Sequence, residues 1–194
     1  KEILELFGYV VDAPLPDEDE IQWAIAVCEE ELARAMFPAY LLDCAHRLLY
    51  WNPLVPNVLE FSSATPSLFD RPSMLRVVFD PAYSMHTRIK NPADFFPAQI
   101  RAFRYEMQRF HDESWCDALL EDMLTCESFK QHWSHERQQA VHIPARPLTL
   151  LELEVGGTLL RFRLISETFV QDQRFRVIFY LPADTATTQH CLEW

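Results

Sequence analysis

Apolar residues recur at Ile21, Ile25, Cys28, Leu32 and Met36. Steps of about three and four residues put side chains on one helical face, so residues 20–36 read as an amphipathic helix. Asp17 stands ahead of it with Glu20 three residues on, the pattern of a capping box. Residues 17–20 are all acidic, which suits the positive end of a helix dipole. Residues 1–16 read as a short helix followed by a linker at Ala13-Pro14-Leu15-Pro16. After Pro38 the period changes. Ala39 to Asp43 is apolar and strand-like, Cys44 to Arg47 is a polar turn, and Leu48 to Trp51 is a second strand. Pro53 disfavours the helical region at Asn52, so that strand stops there.

Residues 53–92 are proline-rich and irregular, with short helical pieces. Within them Ser73 to Phe79 fits a strand or a buried helix equally, because periodicity does not separate the two in so short a run. Phe96, Ile100, Phe103, Met107 and Phe110 then make a helical stripe over residues 93–110, and further helices are expected at about 114–125 and 128–138.

The C-terminal block reads as a three-stranded antiparallel meander. Gly156-Gly157 is a two-residue hairpin turn that sets Leu153 opposite Leu160, Glu152 opposite Arg161 and Leu151 opposite Phe162. A second hairpin with Gln171-Asp172 at its tip would pair Phe162 with Leu181, Leu164 with Phe179, Ile165 with Ile178 and Glu167 with Arg176. The inner face would then hold Leu151, Leu153, Leu160, Phe162, Leu164, Val177, Phe179 and Leu181. Ile165, Ile178 and Tyr180 would form an outer apolar patch, covered by the 20–36 helix or by a partner subunit.

Two strands, a helical middle and three more strands make an α+β, PAS-like five-stranded antiparallel sheet. It has an extended helical middle segment and an N-terminal helix. The expected division is a tail or linker over 1–16, a PAS-like ligand-binding domain over 17–185 and a C-terminal tail over 186–194.

Composition narrows the function. The chain carries a net charge of −12. Residues 1–38 hold ten acids against Lys1 and Arg34. DNA binding rests on Lys and Arg neutralising phosphates, so this chain alone is a poor DNA binder. Five scattered cysteines without a C-x-x-C pair point away from disulfides and zinc ribbons and towards a reducing cytoplasm. No apolar run approaches membrane-spanning length, so no membrane partner is expected. With three glycines, Gly8, Gly156 and Gly157, no phosphate loop, dinucleotide fingerprint or nucleophile elbow can be written.

Four segments carry a family resemblance. Pro38-Ala39-Tyr40-Leu41-Leu42-Asp43 with Leu49-Tyr50-Trp51-Asn52 is similar to the opening strands and Trp-Asn step of the MmyB-like transcription regulator ligand-binding domains. Met74 to Pro81, Ser128 with Trp133 and His135, and Val177 to Pro182 resemble that family's later segments. The resemblance spans roughly residues 20–185. It implies a cytoplasmic, non-enzymatic sensor that binds a small apolar, fatty-acid-like molecule. DNA would be contacted only through a helix-turn-helix module upstream of Lys1.

The expected ligand-binding residues are Trp51, Phe96, Ile100, Phe103, Met107, Leu160, Phe162 and Phe179. Arg104, with Arg101 or Arg109, is the candidate partner for a carboxylate head group. No cofactor, metal or catalytic residue is expected. A second reading is a homodimerisation module using the outer sheet face. A third is a metal-dependent hydrolase built on His132, His135 and Glu136, with His142 nearby. Cys116 and His111 are close enough in sequence for a nucleophile and base, but no third group orients them.

Overall fold

The computed structural model describes residues 13–59, 71–136 and 150–194. The expected helix within 1–16 and the His142 segment fall outside these residues. The sheet has five antiparallel strands: β1 (Ala39–Asp43), β2 (Leu48–Trp51), β3 (Leu150–Val155), β4 (Thr158–Thr168) and β5 (Phe175–Pro182). Their order is β2-β1-β5-β4-β3, so the opening hairpin docks on the last strand and the expected α+β architecture holds.

Helix α1 (Glu18–Arg34) packs on one face of the sheet. Its capping box is complete: Asp17 accepts from the Glu20 N–H and Glu20 accepts from the Asp17 N–H. Ile21, Ala24, Cys28 and Leu32 bury against Ala39, Leu41, Leu49, Phe175 and Val177. The helix stops at Arg34, two residues before Met36, which is exposed.

The opposite face carries the other helices. These are α2 (Val55–Leu59), α3 (Met74–Phe79), α4 (Ser84–Arg88), α5 (Pro92–Met107), α6 (Ser114–Met123) and α7 (Glu127–Glu136). Ser73 to Phe79, ambiguous from sequence, begins with Ser73 as the cap of α3, its side chain accepting from the Leu75 N–H. Helix α8 (Thr185–Cys191) covers the stretch expected to be a tail and buries Cys191 in the main core.

The β3–β4 hairpin has the expected register, with Leu153 opposite Leu160 and Leu151 opposite Phe162. Its two-residue tip holds Gly156 at φ 55° and Gly157 at φ 81°, a backbone that glycine adopts without strain. The β4–β5 register is corrected by one residue: Leu164 faces Tyr180, Ile165 faces Phe179 and Thr168 faces Arg176. Five residues, 170–174, bridge Phe169 and Phe175, and Asp172 accepts from the Arg174 N–H inside that loop. The loop is therefore odd in length where a two-residue tip is even. Side chains alternate along a strand, so the slip exchanges the faces of β5. Arg176, Ile178 and Tyr180 turn inward; Val177 and Phe179 turn towards α1, whose packing also covers the outer apolar face.

Candidate functional site

A cavity of about 210 Å³ lies between the inner face of the sheet and helices α3 and α5. Its floor is Tyr40 and Leu42 of β1, Arg176, Ile178 and Tyr180 of β5, and Leu164 and Ser166 of β4. Its roof is Met74, Leu75, Val78 and Phe79 of α3 with Phe95, Gln99, Ala102, Phe103 and Glu106 of α5. Most of the lining is apolar, and the polar groups gather around Arg176.

Arg176 is buried against two polar partners. Its Nη1 donates to Glu106 Oε2 at 2.5 Å, which ties sheet to roof. Its Nη2 donates to His46 Nδ1 at 2.7 Å. His46 lies in the β1–β2 turn at φ 60° and packs edge-on against Phe103. Burial, and then the Arg176 charge, push its pKa well below the ordinary value, so the ring is neutral. His46 Nε2 lies 3.1 Å from the same Arg176 Nη2 and 3.4 Å from Glu106 Oε2. Tyr40 and Tyr180 meet hydroxyl to hydroxyl at 3.5 Å. Burial pushes the Tyr40 phenol up to about 12 and the Tyr180 phenol well above its ordinary value. Two polar atoms of the lining residues, Arg176 Nε and Ser166 Oγ, are buried without a hydrogen-bond partner among the described residues.

Of the residues expected to touch a ligand, Phe103 lines this cavity. Ile100, Met107, Leu160 and Phe162 are packed in the main core beside it. Phe96 stacks on His86 and packs against Phe79. Trp51 packs half-buried on the core margin. Phe179 sits on the other face of the sheet because of the register shift. Arg104 lies over the Trp133 ring, 5.3 Å from its centroid, and does not line the cavity.

The helical stripe of α5 thus marks its core-facing side. The cavity opens along the flank formed by Phe95, Gln99, Ala102, Phe103 and Glu106. Arg176, Ser166, Glu106 and His46 were missed from sequence. The sequence pairs Arg176 with Glu167 across the expected hairpin, whereas an arginine flanked by Phe175 and Val177 in an apolar strand is the signal for an inward position.

Of the residues weighed for a hydrolase, His142 and the Glu136 side chain lie outside the described residues. Among the described residues no three His, Cys, Asp or Glu side chains come together as metal ligands. His132 packs against the rings of Phe79 and Phe96. Cys116 is buried with its thiol directed at Met107 Sδ, 3.6 Å away, and burial pushes its pKa up. His111 lies at the surface beside Asp112.

The family model of the MmyB-like transcription regulator ligand binding domain matches residues 30–192. The chain belongs to this family. The match takes in every strand, α2 to α7, the cavity and α8 as far as Cys191, together with the last turns of α1. This MmyB-like domain is therefore a ligand-sensing part of a transcription regulator. No curated protein matches the chain. Among the described residues no helix is long and apolar enough to cross a membrane.

Proposed function

We propose that the domain holds a small apolar, fatty-acid-like molecule in the cavity between the sheet and α3/α5, performs no catalysis, and relays occupancy to a DNA-binding module. The observation that carries this reading is the cavity itself, about 210 Å³ and mostly apolar, inside a domain of a ligand-sensing family. An apolar cavity of about 150 Å³ suffices for benzene, so this one suits a molecule somewhat larger, such as a medium-length acyl chain. DNA contact belongs to a helix-turn-helix module, since the chain's charge of −12 opposes phosphate binding. A cytoplasmic setting agrees with five buried, unpaired cysteines. A homodimer would use a surface other than the outer sheet face, which α1 covers.

Organic extraction of the purified protein followed by mass spectrometry tests the ligand class. A near-stoichiometric acyl compound is expected. Phe103→Trp fills the cavity from its roof and should abolish uptake while the circular dichroism spectrum stays native. A Phe103→Trp protein that takes up ligand like the wild type would place the pocket elsewhere.

A further inference from the structure

Among the described lining residues, the cavity holds two full charges, Arg176 and Glu106, and they neutralise one another at 2.5 Å. His46 adds none, because it accepts from Arg176 as a neutral ring. Tyr40 and Tyr180 share one hydroxyl-to-hydroxyl contact, in which one donates to the other. Two buried lining groups that can donate have no partner among the described residues: Ser166 Oγ and Arg176 Nε. Arg176 Nε can only donate, whereas a serine hydroxyl rotates to suit its partner. Ser166 faces Ile178 across the β4–β5 ladder, which makes Arg176 its diagonal neighbour on the same face. Both residues line the cavity. Leaving such buried donors unmade is costly, so they are suited to acceptor atoms on the bound molecule.

Glu106 decides what kind of oxygen that is. With Glu106 in place the Arg176 charge is already balanced, and a carboxylate would enter the partly buried polar end as an uncompensated charge. A carbonyl oxygen of an amide, ester or lactone satisfies the same donors without adding charge. Resting on the sensor reading above, we infer that the cavity selects an acyl chain with a neutral carbonyl head, held by Ser166 and Arg176, and that Glu106 is the residue that excludes the carboxylate.

Calorimetry of the purified chain with octanamide and with octanoate at pH 7.5 tests this without any substitution. The amide should bind about tenfold tighter or more, a difference set by the cost of burying the extra charge. Octanoate binding as tightly as the amide would overturn the inference and leave the sensor reading standing. Binding of neither compound would overturn both. Glu106→Gln keeps a hydrogen-bond acceptor for Arg176 but removes the balancing charge. It should raise octanoate affinity about tenfold with little change for the amide. Ser166→Ala should weaken the amide and leave the circular dichroism spectrum unchanged. A Glu106→Gln protein that gains nothing for octanoate would show that Glu106 is not the selector.

Discussion

Asn52 shows how one side chain closes the opening hairpin. It is buried, its Oδ1 accepts from the Ala39 N–H at 3.2 Å and its Nδ2 donates to the Phe37 carbonyl at 2.8 Å. Replacing it by alanine leaves both backbone groups without their partner inside the protein. Asn52→Ala should therefore cost about 2 kcal/mol, read as a lower urea midpoint at constant slope. The Asn-Pro step made this residue visible in sequence as a strand end, though not its hydrogen bonds. His46 makes a prediction with a definite sign. Its folded pKa lies well below the ordinary 6.5, through burial first and Arg176 second. The unfolded chain thus binds the proton more readily. The contribution of neutral His46 is full above about pH 6.5 and is lost as pH falls below it, by at most about 1.4 kcal/mol per pH unit. His46→Gln retains an acceptor for Arg176 without titrating. Urea unfolding from pH 8 to pH 5 should show the wild type losing more stability than His46→Gln; parallel curves would remove His46 as the cause.

At the scale of elements, what was legible depended on whether a local signal fixed the geometry. Gly156-Gly157 sets the β3–β4 register because few other residues tolerate that backbone, and every pair read from it is found. The β4–β5 loop has no such signal. Its odd length is held by Asp172, which accepts from the Arg174 N–H, and by Arg174, which bridges Asp172 and Glu20 at the start of α1. That last contact spans most of the chain, so it cannot be read from the loop's own residues. The consequence was large, since parity alone decides whether Arg176 faces solvent or cavity. Helix α1 gives the complementary case. Its apolar period continues to Met36 in sequence, but the backbone leaves the helix at Ala35 before Pro38, so Met36 stays mostly exposed. Leu32→Ala, fully buried under α1, should cost about 3 kcal/mol, while Met36→Ala should change stability by less than about 0.5 kcal/mol. Equal effects in thermal or urea unfolding would mean that the helix extends through Met36.

For the whole molecule, the decisive element is β5, because it belongs to both halves of the structure. Arg176, Ile178 and Tyr180 line the cavity, and Phe175 and Val177, on the other face of the strand, pack against Ile21, Ala24, Cys28 and Leu32 of α1. A molecule that displaces the roof or engages Arg176 acts on a strand whose other face is the seat of α1. The Arg174 side chain just before β5 fastens the start of that helix through Glu20. This is a packed, two-sided connection from the cavity to α1, the helix that on the proposed reading relays occupancy to a DNA-binding module. Hydrogen exchange tests it directly. With octanamide bound, amides of α3 and α5 should gain protection as the cavity fills, and those of residues 18–34 should change as well, although α1 touches no part of the cavity lining on its own face. Phe103→Trp, which fills the cavity without a ligand, should abolish both responses. Protection confined to α3 and α5 would mean that the bound state leaves the domain by a route other than β5 and α1, and the proposed relay would fall while the cavity's role as a binding site stood.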